Sequence, residues 1–160
     1  MCANNMKIFL KPNSIPYRVL APRPIPLRFQ EAAYSEIAKY IASGVIVPCS
    51  ESTDWCFPAF FMPKGDGKRV RLVTDYTKLN KFVVRPVRPF PSVPDIIQSI
   101  PSTAAYFAKL DLKHGYLQLP LDDEAFRLTT FILPSGRYRY LRAPFFEKAP
   151  SFEAREAHRY

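Results

Sequence analysis

The sequence predicts an α+β fold, and three observations carry that expectation. Apolar Ala33, Ile37 and Ile41 recur at helical spacing among charged Glu31, Glu36 and Lys39, the pattern of a helix with one buried face. Two runs rich in apolar and basic residues each fold back across a glycine-containing turn, the pattern of β-hairpins. Proline clusters at Pro12, Pro16, Pro22, Pro24 and Pro26 and again at Pro86, Pro89, Pro91 and Pro94 separate these pieces. Proline cannot donate to a sheet ladder, so such clusters mark extended connectors.

The elements follow in chain order. Residues 1–26 read as a proline-rich arm, draped over a domain or reaching a partner. The helix spans about Arg28 to Ser43, and Gly44 is placed to close it in the left-handed conformation, with Val45 supplying the hydrophobic contact of that stop. Val45 to Val47 begin an extended stretch. Strands Ala59–Pro63 and Lys68–Thr74 pair across Gly65-Asp66-Gly67. Side chains alternate along a strand, so Arg69 and Arg71 share one face, opposite Val70 and Leu72. That basic face is either a solvated edge that resists aggregation or a grip for phosphate. Ser92-Val93-Pro94-Asp95 has the form of a capping box, opening a short helix that ends near Ile100-Pro101. Tyr106 to Leu112 reads as a buried strand, and Leu117 to Leu121 as a returning one after a turn at His114-Gly115-Tyr116. Asp122-Asp123-Glu124 reads as a solvated turn and helix-capping run. A last hairpin pairs Leu128–Leu133 with Arg137–Leu141 across Pro134-Ser135-Gly136.

Composition bounds the functional classes. A hydrophobic share of 48% and an aromatic share of 14% argue for a packed core. The net charge of +9 fits either a surface kept basic for solubility or a polyanionic partner. Three cysteines, Cys2, Cys49 and Cys56, form no Cys-x-x-Cys pair and leave an odd thiol, which argues against a zinc site or a disulfide framework and for an intracellular setting. The first ten residues lack the form of a signal peptide. No apolar run approaches the roughly 20 residues of a spanning helix, so no membrane is expected.

Asp111 stands out as a carboxylate at the end of an apolar run and before a glycine-containing turn. From its surroundings alone it either caps that turn or serves a site. The segment Phe107-Ala-Lys-Leu-Asp111-Leu-Lys-His-Gly115-Tyr116 resembles the first catalytic-aspartate motif of Ty3/gypsy-type reverse transcriptases. The resemblance continues through Gly44-Val-Ile-Val-Pro-Cys-Ser50, Trp55-Cys-Phe-Pro-Ala59, Pro63-Lys-Gly-Asp-Gly67 and Val73-Thr-Asp-Tyr-Thr-Lys-Leu-Asn80. Pro89-Phe-Pro-Ser92, Thr129-Thr-Phe131 and Gly136-Arg-Tyr-Arg-Tyr-Leu-Arg-Ala-Pro144 follow in family order. It covers about Met6 to Pro144.

The resemblance implies the fingers and first part of the palm of a right-hand polymerase, within residues 27–150, followed by a divergent tail at 151–160. It implies RNA- or DNA-templated DNA synthesis within a Pol polyprotein, with template-primer, deoxynucleoside triphosphates and the remainder of Pol as partners. Such chemistry uses two Mg²⁺ ions about 4 Å apart held by carboxylates. By resemblance Asp111 and the backbone carbonyl of Leu112 are metal ligands. The amides of Lys113, His114, Gly115 and Tyr116 cradle the triphosphate, and the Tyr116 ring is the steric gate against a ribose 2′-hydroxyl. Lys64 and Arg71 clamp the triphosphate, Arg71 through a guanidinium fork suited to phosphate.

The sequence departs from the family at four places. Gly65 stands where relatives often carry a lysine, and Thr77 replaces the usual arginine of Asp-Tyr-Arg-x-Leu-Asn. Phe146 replaces a glycine in the turn after Pro144. The second acidic motif, Tyr-x-Asp-Asp, does not occur in the 160 residues, so the chain alone is expected to be inactive. The rival expectation is a non-catalytic nucleic-acid-binding remnant, or a decayed retroelement reading frame.

Overall fold

A computed structural model describes residues 5–65, 67–84, 91–112 and 115–144. Its centre is a five-stranded sheet in the order β1-β5-β4-β2-β3. The strands are β1 Ile46–Pro48, β2 Phe57–Pro63, β3 Val70–Thr74, β4 Phe131–Leu133 and β5 Gly136–Tyr140. All neighbours run antiparallel except β2 and β4, which pair parallel at Phe57 and Phe131. The helices are α1 Gln30–Ala42, α2 Thr77–Asn80, α3 Val93–Gln98 and α4 Asp123–Arg127. The class is therefore mixed α and β, as the sequence predicts.

Helix α1 starts two residues later than the pattern suggested, because Leu27–Phe29 wind as a 3₁₀ turn ahead of it. Ala33 and Ile37 bury its inner face, whereas Ile41 is exposed near its end. The stop is the expected one. Gly44 sits at φ +64°; its N–H donates to the Ile41 carbonyl at 3.0 Å, and the Val45 N–H reaches the Tyr40 carbonyl at 2.9 Å. These are the paired bonds of a Schellman motif, with Val45 buried beside them. The chain then enters β1 directly, so this stop fixes where α1 meets the sheet.

The β2–β3 hairpin forms where expected, with Phe60 opposite Val73 and Pro63 opposite Val70. The Lys64 N–H donates to the Arg69 carbonyl at 2.7 Å, and the Gly67 N–H to the Lys64 carbonyl at 2.8 Å. Around β2 the core is aromatic: Phe57 meets Tyr76 edge-on at 4.9 Å, and Phe131 lies 5.0 Å from Tyr140. Tyr76 is buried, and its hydroxyl donates to the Thr129 carbonyl at 2.9 Å. Residues 5–26 run along this unit in mostly irregular conformation. Met6 bridges Leu121, Leu10 bridges Val83 and Arg18 bridges Cys56, and Met6, Ile8 and Ile25 are buried.

Three expectations are corrected. Residues Tyr106 to Leu112 form no strand and are not buried: Tyr106 is 95% and Leu110 93% exposed. Alternation alone cannot make a strand, because its backbone groups need a neighbour, and no described strand pairs with this segment. Gly115 and Tyr116 do turn, but the turn is a 3₁₀ one that runs on through Leu117 and Gln118, where the returning strand was expected to start. The chain then bonds to the end of the sheet, with Leu121 N–H to the Leu141 carbonyl and Ala143 N–H to the Leu119 carbonyl. Finally, the strand expected from Leu128 begins only at Phe131, because the N–H groups of Leu128 and Thr129 close helix α4. The capping role of Asp122 holds: its carboxylate caps α4 by accepting the Ala125 N–H at 2.8 Å.

The Ser92 box also forms. The Ser92 N–H donates to the Asp95 carboxylate at 3.0 Å, and the Ser92 hydroxyl accepts from the Asp95 N–H at 3.4 Å. Helix α3 nevertheless buries nothing: Val93, Ile96, Ile97 and Ile100 around it are exposed. Among the described residues, no helix is long and apolar enough to cross a membrane.

Candidate functional site

Two distant parts of the sequence meet at one cavity of about 470 Å³. The β2–β3 hairpin contributes Lys64, Arg71 and Leu72, and the 3₁₀ turn contributes Gly115, Tyr116 and Leu117. Tyr40 of α1, Tyr140 of β5 and Pro144 complete the lining. Four candidate residues, Lys64, Arg71, Gly115 and Tyr116, thus share one wall system.

Local folding explains each position. Lys64 directly follows β2, with its backbone held by two hydrogen bonds. Arg71 stands opposite Met62 and is exposed. Tyr116 follows Gly115 in the 3₁₀ turn, and its carbonyl accepts the Leu119 N–H at 3.0 Å. The Lys64 ammonium lies 3.6 Å from a Glu36 carboxylate oxygen on α1. Burial pushes the Tyr40 hydroxyl above the ordinary tyrosine range, and Glu36 adds to that shift. Burial likewise raises Tyr140 well above its ordinary value; its oxygen lies 3.4 Å from the Thr74 hydroxyl. Both tyrosines therefore stay protonated at neutral pH, so the cavity offers two cations and neutral hydroxyls.

Asp111 and Leu112 do not line this cavity; both are exposed on the irregular segment that precedes it. Leu112 is nevertheless close to the turn, since a Cβ built on Gly115 would lie 3.6 Å from the Leu112 Cβ. Lys113 and His114 lie outside the described residues. A hard divalent ion such as Mg²⁺ takes about six oxygens, with one or two carboxylates and phosphate among them. Among the described residues no three His, Cys, Asp or Glu side chains come together, and Asp111 is exposed. The described residues do not by themselves fit the two-ion site that the resemblance implied.

Sequence reasoning missed Tyr40, Tyr140 and Glu36. The usable signal was Glu36 and Tyr40 at i and i+4 on α1, which places them on one helix face. The arginines of β5 and the residues after it are tied up in the fold. Arg139 is buried, not presented to a polyanion: its Nη1 lies 2.7 Å from Glu51 Oε2 and its Nε donates to the Thr130 hydroxyl at 3.0 Å. Arg137 donates to the Ser50 carbonyl at 3.0 Å, and Arg142 to that of Gln118 at 3.3 Å.

A second cavity of about 410 Å³ lies beside β3 and α2. The Arg23 guanidinium sits 4.9 Å from the centre of the Phe60 ring there. Asp75 accepts the Thr77 N–H at 3.0 Å, and bonds from Thr77 hold its carboxyl below the usual range.

No protein-family model matches the chain. It is 32% identical over 120 residues to the retrovirus-related Pol polyprotein from transposon 412 of Drosophila melanogaster, a match covering 72% of the chain and 10% of that polyprotein. Among solved structures it resembles the protease-reverse transcriptase of prototype foamy virus (a selenomethionine-labelled CSH mutant). That match has a TM-score of 0.66 and 26% identity, covering 84% of the chain and 18% of the viral one. The foamy viral protease-reverse transcriptase dRH in complex with double-stranded DNA gives a TM-score of 0.61 at 20% identity, over 84% of the chain and 22% of the viral one, a likeness of fold. The chain spans about a tenth of the length of the curated relative, and its homologues are retroelement Pol polyproteins.

Proposed function

We propose that this chain is the fingers and early palm of a retroelement reverse transcriptase, and that its larger cavity receives the phosphates of a deoxynucleoside triphosphate. One observation carries the reading. Lys64 and Arg71 of the hairpin converge with Gly115 and Tyr116 of the 3₁₀ turn on a single cavity. Two cations facing a short turn suit a polyphosphate, because Arg offers a planar fork and Lys a compact charge. Tyr116 then meets the sugar.

The exposed apolar run around Tyr106, Phe107, Leu110 and Leu112 also supports this reading. Large contiguous apolar surfaces mark interaction sites, and here the remainder of the palm would cover it. Asp111 would gain its partner carboxylates from that same polypeptide. On this proposal the 160-residue chain binds nucleotide but does not extend primers.

Calorimetric titration of the chain with dATP tests the proposal. Binding weakened about ten-fold by Arg71→Ala is expected, the loss of one charge-assisted bond. Primer extension on an RNA template with Mg²⁺ should stay at background. No dATP binding, or binding indifferent to Arg71→Ala, sinks the nucleotide reading. Extension that disappears in Asp111→Asn overturns the expected inactivity.

A further inference from the structure

Helix α1 brings a carboxylate to Lys64, one of the two charged side chains among the described residues that line the cavity. The Glu36 carboxylate lies 3.6 Å from the Lys64 ammonium, and the two side chains are 16% and 35% exposed. That separation is an ion pair rather than a short hydrogen bond, so the ammonium is held without being saturated. Lys64 has its backbone fixed in the hairpin turn, which leaves only its side chain to move. The Tyr40 hydroxyl, on the cavity wall, is also raised in part by Glu36.

We propose that Glu36 is an internal counter-anion for Lys64, which a bound polyphosphate must displace before Lys64 can engage it. This rests on the reading of the cavity as a polyphosphate site. Glu36 is a positioning residue, because it acts through Lys64 and not on the ligand. In the empty cavity it holds the ammonium at the rim and offsets its charge. A ligand carrying several negative charges close to Arg71 pulls Lys64 across, and the affinity measured is what remains after the Glu36 pair is lost. The hairpin consequently clamps only a ligand charged enough to outcompete a carboxylate.

The probe is inorganic triphosphate, titrated calorimetrically into the full chain. Glu36→Gln should raise affinity about five-fold, the upper range for a partly exposed ion pair. In a Lys64→Met background the same change should alter affinity by less than about two-fold, because Glu36 then has no ammonium to withhold. A merely structural Glu36 would lower thermal stability and affinity together, so melting curves accompany each titration. Equal gains with and without Lys64, or no gain in folded Glu36→Gln, overturn the proposal while leaving the cavity reading intact. Triphosphate binding that is absent, or unaffected by Arg71→Ala, overturns both.

Discussion

Arg139 Nη1 and Glu51 Oε2 lie 2.7 Å apart, yet the arginine side chain is 6% exposed and the glutamate 73%. The pair joins the interior of the sheet to its surface. Arg139 is further held by the Thr130 hydroxyl and lies 5.2 Å from the centre of the Phe126 ring. Its charge is thus spent on holding β5 against the loop that follows β1 and the end of α4. Arg139→Ala should destabilise the chain by about 2–4 kcal/mol in urea unfolding, because it removes buried packing together with the bonds to Thr130 and Glu51. Glu51→Gln should cost much less, since solvent screens the exposed carboxylate. The hydrogen bond from Arg139 and its charge hold the Glu51 carboxyl below its ordinary 4.5. The contribution of Glu51 is therefore fully present above pH ~4.5 and lost as pH falls through the depressed folded value. Glu51→Gln should remove that part of the acid sensitivity; an unchanged acid midpoint would show that the pair contributes nothing.

The stop at Gly44 sets the register between α1 and β1. At φ +64° a side chain is strained, while a Cβ there would meet nothing within 4 Å. Gly44→Ala should consequently cost about 1 kcal/mol through the backbone alone. The change would appear as a lower urea midpoint at constant slope. A loss above about 3 kcal/mol would mean that the α1–β1 junction unravels rather than strains.

These two sites also show why some of the fold is legible and some is not. The Gly44 stop, the Ser92-Asp95 box, the Asp122 cap and the β2–β3 turn depend on residues within a few positions of one another, and local chemistry determines them. The segment from Tyr106 to Leu112 has good strand alternation, but a strand also needs a neighbour, and that is a nonlocal property. Arg139 and Arg71 look alike in sequence, each on a basic strand. Packing separates them: Arg71 is exposed on β3 at the sheet's edge, whereas Arg139 on β5, between β1 and β4, is enclosed by Glu51, Thr130 and Phe126. The cavity was half legible. Its Lys64, Arg71, Gly115 and Tyr116 came from the family resemblance, whereas Tyr40, Tyr140 and Glu36 needed the packing of α1 and β5 beside the hairpin.

That contrast between edge and interior arginines yields a final prediction, on nucleic-acid binding. With a net charge of +9, the chain should bind single-stranded oligonucleotides weakly and with little sequence preference. Cationic contacts to phosphate release condensed counterions, so log affinity falls linearly with log salt, by about 0.7 per neutralised phosphate on single strands. Arg69 and Arg71 are exposed at the hairpin, and Arg139 is buried against Glu51 and Thr130. Replacing Arg69 and Arg71 together by alanine should flatten the slope by about 1.4, the share of two phosphates. Arg139→Met should leave the slope unchanged at temperatures where the variant remains folded, even though it lowers stability. Fluorescence anisotropy of a labelled oligonucleotide across a salt series measures both. A slope indifferent to Arg69 and Arg71 but sensitive to Arg139 would place the nucleic-acid face on β5 and leave the hairpin as a solvated edge.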